Sequence, residues 1–77
     1  QESAARKALR DIRVPETSLR PGDLLFEISR WKTNGVLPEV AKDHVEDDRG
    51  FLAAAGYRRY QAQLRAAGAV DFDDLLL

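Results

Sequence analysis

Three carboxylates stand within four residues at Asp71-Phe72-Asp73-Asp74. Such a group could hold magnesium, which favours carboxylate oxygens and keeps several of its waters. The same residues also read as a helix start. Asp71 is placed as the N-cap, Asp74 at the third helical position of a capping box, and Phe72 as a buried anchor. The cap explains all of them without a ligand and is the favoured reading. A second grouping is basic: Arg58, Gln61 and Arg65 share one helical face, with Arg59 to its side. Helical arginines can position a nucleic-acid backbone through its phosphates. They can equally form a solvated face or pair with the acids between Glu39 and Asp48. Trp31, Tyr57 and Tyr60 could stack on bases, but all three lie on apolar stripes, so core packing is favoured.

The remaining reactive residues are isolated. His44 is the only histidine, has no metal-ligand spacing to another, and reads as a solvated loop residue rather than a base. Ser3, Ser18 and Ser29 lack a base and an orienting group, which a serine nucleophile requires. The sequence makes no case for catalysis within these 77 residues and assigns no metal ligand.

The elements that would position these groups are all helical. Ala5, Ala8, Leu9 and Ile12 form one face of a first helix that Ser3 could cap and Pro15 stops. Pro21 suits the first position of a second helix, with Asp23 favourable at its positive end. Leu24, Leu25, Ile28 and Trp31 form its buried face, Glu27, Arg30 and Lys32 lie outside that face, and Asn34-Gly35 closes it. Pro38 opens a short third helix through Val40, Ala41 and as far as Val45, with Leu37 tucking into the core. Glu46-Asp47-Asp48 caps a fourth helix from about Arg49 to Ala67, roughly 28 Å long at 1.5 Å per residue. Its apolar stripe is Ala53, Tyr57, Tyr60, Leu64 and Ala67; Gly56 marks the close approach of another helix, and Gly68 is the stop. The expected architecture is an all-α bundle of about four helices, in one small unit spanning 1–77.

Composition narrows the function classes. A chain this short buries only roughly 60–65% of its unfolded surface, so its core is thin. It has no cysteine, hence neither disulfides nor a thiolate metal site. No apolar run approaches the roughly 20 residues of a membrane span, so no membrane partner is expected. The absence of cysteine is compatible with a cytoplasmic location. Net charge is −1 but unevenly spread. Five acids stand against Lys42 alone between Glu39 and Asp48, whereas Arg49, Arg58, Arg59 and Arg65 face no acid up to Val70. With no methionine and an apolar run broken off at Leu75-Leu76-Leu77, the chain reads as a piece excised from a larger protein, and the piece is expected to be monomeric.

Two blocks carry a family resemblance. Tyr60-Gln61-Ala62-Gln63-Leu64-Arg65 followed by Val70-Asp71-Phe72-Asp73-Asp74-Leu75-Leu76 resembles the tyrosine-bearing helix and Leu-Asp-Phe-Asp-Asp-Leu motif of the UvrD/Rep/PcrA group of superfamily-one DNA helicases. Ile28-Ser29-Arg30-Trp31-Lys32-Thr33-Asn34 with Leu37-Pro38-Glu39 resembles that group's Ile-Ser-x-Ala-Lys-Asn helix and the loop after it. Order and spacing agree from about Pro21 to Leu77. Trp31 replaces a usually small residue and Thr33 a usual asparagine, so no polar role carries over to Thr33.

The resemblance implies the accessory helical insertion of the first motor domain, subdomain 1B, lying beside the DNA. It implies a parent that binds ATP and magnesium and hydrolyses the nucleotide. That parent would move along DNA, single-stranded or at a junction, without reading its sequence, in DNA repair or replication. The phosphate-binding Gly-x-x-x-x-Gly-Lys-Thr loop of such a parent is not in this sequence, so ATP and magnesium would be held by the remaining helicase domains. The residues it points to for DNA contact are Arg30, Lys32, Arg58, Arg59 and Arg65. The rival expectation is a helical protein-interaction module, docking a partner helix through Trp31 and Leu75–Leu77.

Overall fold

A computed structural model of the chain describes residues 2–15 and 17–68. The Asp71-Phe72-Asp73-Asp74 motif and Leu75–Leu77 lie outside the described residues. Among those residues the fold is all-helical: α1 (Glu2–Asp11), α2 (Pro21–Thr33) and α3 (Asp48–Ala66), with a 3₁₀ turn at Ala41–His44 between the last two.

Helix α1 buries Ala5, Ala8 and Leu9 completely or nearly so and half-buries Ile12. Ser3, expected as a cap, lies one residue inside the helix. Its C-terminus closes with Arg13 at φ 60, while the Val14 N–H donates to the Leu9 carbonyl at 2.9 Å. That bond skips back five residues, as in the glycine-closed helix ending, but here a side-chain-bearing residue takes the left-handed position. Val14 is buried as the apolar partner of the turn, and Pro15 then prevents continuation.

Helix α2 starts on Pro21, whose missing N–H would have no helical acceptor in any case. It ends the same way as α1, with Gly35 at φ 72 and the Val36 N–H donating to the Trp31 carbonyl at 2.8 Å. Leu24, Ile28 and Trp31 are buried as expected, and Leu25 is half-buried.

The expected third helix is absent as an α-helix. Only the four-residue 3₁₀ turn forms, because a single small residue, Ala41, is buried in it. One alanine cannot offset the cost of nucleating a helix between β-branched Val40 and Val45. Leu37 is 48% exposed rather than tucked in, and Val36, half-buried, packs against the core instead.

Helix α3 is 19 residues long, and Asp47 caps it by accepting the Gly50 N–H at 2.7 Å on its carboxylate. The buried stripe is Ala53, Ala54, Gly56, Tyr57, Tyr60 and Leu64; Ala67, expected at its end, is exposed, and Gly68 takes φ 67 just beyond. Gly56 lets α2 approach closely: a Cβ there would stand 2.9 Å from Cδ1 of Leu24. Next to this contact the Trp31 and Tyr57 rings stack with centroids 5.4 Å apart and 12° between planes. The Tyr57 hydroxyl donates to the Val36 carbonyl at 2.9 Å, so its polar end is satisfied at the edge of the core.

Candidate nucleic-acid interface

The four arginines of α3 have different fates. Near the helix start, Arg49 reaches α2 and pairs with Asp23 at 3.1 Å. Arg59 pairs with Asp11 of α1 at 3.2 Å, and the Gln63 amide donates to the same carboxylate oxygen at 2.9 Å. These two arginines fasten α3 to its neighbours. Their partners lie on α1 and α2, outside the acidic Glu39–Asp48 stretch. Arg58 and Arg65 are exposed, and neither has an ion-pair partner among the described residues.

Geometry explains the division. Arg59 and Gln63 lie one turn apart on the side that meets α1, while Arg58 and Arg65, seven apart, look away from the core. A straight helix drifts only about 20° per seven residues, so these two guanidinium groups share one open face about 10 Å apart along the axis.

On α2, Arg30 is exposed and held by Glu27 at 2.7 Å. Lys32 departs from expectation: it is fully buried, with its ammonium 5.8 Å from the centroid of the Tyr60 ring. It follows Leu24 and Ile28 at steps of four, so it stands on the edge of the same apolar row. Its aliphatic stem packs there while the cation faces an aromatic surface. The spacing carried that signal; the charge concealed it. Lys32 is therefore not part of the described surface.

Trp31, Tyr57 and Tyr60 are all buried, in keeping with their packing role. Among the described residues the exposed aromatics are Phe26 and Phe51, at 67% and 58%, neither of which stands out in the sequence. Phe26 borders an open cleft of about 780 Å³ between α2 and the start of α3. Glu46 and Asp47 line it together with the Glu27–Arg30 and Asp23–Arg49 pairs, and His44 stands exposed at its rim. With more carboxylates than guanidiniums, the cleft does not suit a polyanion. Among the described residues, no group of three or more His, Cys, Asp or Glu is placed to hold a metal ion. No described helix is long and apolar enough to cross a membrane.

Comparison with known proteins sets this geometry in a family. The profile of the UvrD/REP helicase N-terminal domain matches the chain over residues 1–77. Two curated relatives, each an ATP-dependent DNA helicase PcrA from a strain of Staphylococcus epidermidis, are 30% identical over all 77 residues. The chain spans 11% of the length of these relatives. No solved structure matches it.

Proposed function

The chain belongs to the UvrD/REP helicase N-terminal domain family, and from that premise we propose that it is a DNA-contacting accessory subdomain, the 1B insertion of a helicase. In this reading the parent couples ATP hydrolysis to movement along DNA and acts in the cytoplasm. The chain itself performs no reaction. The sequence holds no phosphate loop of the Gly-x-x-x-x-Gly-Lys-Thr kind, and in this reading the ATP and magnesium of the parent are bound by its other domains. The contribution of this chain is a fixed cationic surface that neutralises backbone phosphates and reads no base sequence.

The observation that carries the reading is the pair Arg58 and Arg65, exposed on the outer face of α3 and without an ion pair among the described residues. Arg30 and Arg59 are exposed but already engaged by Glu27 and Asp11, so they are secondary contacts. Lys32 serves the fold rather than the DNA, being buried against Tyr60.

A second reading has its own observation. Phe26, 67% exposed beside the acidic cleft, suits docking of a neighbouring protein surface. It replaces Trp31 as the anchor of that alternative, since Trp31 is only 4% exposed.

A salt series on a fluorescently labelled oligothymidylate separates the two. Two phosphate contacts to a single strand give a slope of about −1.4 in log K against log salt, or about 25-fold weaker binding for tenfold more salt. Arg58→Ala and Arg65→Ala should each flatten the slope by about 0.7. No binding at low salt, or a slope insensitive to both substitutions, would refute this placement of the interface.

A further inference from the structure

We infer that Phe51 is a base-stacking platform at one end of the α3 arginine track, which makes the preferred ligand of this face single-stranded rather than duplex DNA. The inference rests on the DNA-contacting reading above and specifies its ligand. Phe51 is 58% exposed and stands outside the buried cluster, in which its neighbour Leu52 takes part instead. Its ring therefore does little to hold the fold together. Its register is what distinguishes it from an ordinary exposed apolar residue.

Phe51, Arg58 and Arg65 follow one another at steps of seven. With about 20° of drift per step they remain within about 40° of one line, and they span about 21 Å at 1.5 Å per residue. Between them on the same face stand Ala55 and Ala62, too small to obstruct a strand lying along the helix. Asp48, three residues before Phe51 and exposed, makes that end unfavourable for a phosphate. The ring is left to meet a base, while the phosphates run toward Arg58 and Arg65. Aromatic stacking of this kind needs an unstacked base and tolerates any sequence. A duplex keeps its bases stacked internally and offers the ring only the edges and backbone.

The test compares three probes of equal length: oligothymidylate, an abasic strand with the same phosphates, and a duplex. Wild type should prefer oligothymidylate. Phe51→Ala should weaken oligothymidylate binding about fivefold or more, the lower end for loss of one stacked base, and leave the abasic strand and the duplex unchanged. Phe51→Trp should restore the preference. Arg58→Ala should weaken all three probes. Circular dichroism checks that each variant keeps the wild-type helicity, as expected for exposed positions. Equal effects of Phe51→Ala on thymidylate and abasic strands, or none on either, would overturn the stacking role while leaving the arginine interface standing. Failure of the wild type to bind any probe would overturn both.

Discussion

The close approach of α2 and α3 at Gly56 gives a prediction in which the sign of one substitution depends on a second residue. In an exposed helix interior, Gly→Ala stabilises by about 0.8–1.0 kcal/mol. At Gly56 the new Cβ would stand 2.9 Å from Cδ1 and 3.1 Å from Cδ2 of Leu24, itself fully buried. Overpacking of that kind costs roughly 1–3 kcal/mol. The net expectation for Gly56→Ala in the wild type is therefore a loss of about 0–2 kcal/mol. Leu24→Val removes the two Cδ atoms and costs about 0.5–1.5 kcal/mol alone, as one buried methylene usually does. The branch point, Cγ of Leu24, is 3.6 Å from the added Cβ, which is ordinary contact. In the Leu24→Val background, Gly56→Ala should thus recover its helix propensity and stabilise by up to about 1 kcal/mol. Urea unfolding of the four proteins, followed by far-ultraviolet circular dichroism, completes the cycle. A coupling energy of at least about 1 kcal/mol with the sign reversed is expected. Additivity within about 0.5 kcal/mol would mean that the two residues do not touch and that α2 crosses α3 elsewhere.

Other perturbations have simpler outcomes. Asp47→Ala removes the acceptor of the Gly50 N–H and should cost about 1 kcal/mol of stability in the same urea assay. Arg13→Gly should raise stability by about 1 kcal/mol, since glycine takes the left-handed conformation at φ 60 without the Cβ clash. Lys32→Ala should cost more than about 1 kcal/mol because a fully buried stem is lost, whereas Arg58→Ala should stay within about 0.5 kcal/mol of wild type. Equal effects of those two substitutions would contradict the contrast between the buried and the exposed cation.

The parts of the fold that local rules control were legible in the sequence. Pro21, Asn34-Gly35, Asp47 and Gly68 each punctuate a helix where the chain chemistry requires it. The row of Ala53, Tyr57, Tyr60 and Leu64 was visible as a helical period, and Gly56 as a point of close packing. Features that depend on tertiary partners were harder to see. Whether Pro38 to Val45 becomes a helix depends on how much of it finds a core, and only Pro38 and Ala41 are buried there, with Val45 half-buried against the core. Lys32 is expected outside the buried face of α2, yet it is fully buried, because its position four after Ile28 continues the packed row and brings its cation to the Tyr60 ring.

The site divides in the same way. That Arg58 and Arg65 share a face follows from their spacing. That Arg49 and Arg59 are occupied depends on Asp23 and Asp11, 26 and 48 residues away along the chain. Phe51 carries no motif and no charge to mark it in the sequence. Its side of the helix follows from its spacing of seven to Arg58, but that its ring is exposed rather than packed depends on the tertiary structure.

The central claim is that the outer face of α3 receives the DNA. The most direct measurement is a nuclear magnetic resonance titration of the nitrogen-15-labelled chain with oligothymidylate at low salt. The account predicts amide shifts concentrated around Phe51, Ala55, Arg58, Ala62 and Arg65, reversed by added salt. Shifts concentrated instead around Phe26, Glu46 and Asp47, or none at any position, would contradict it.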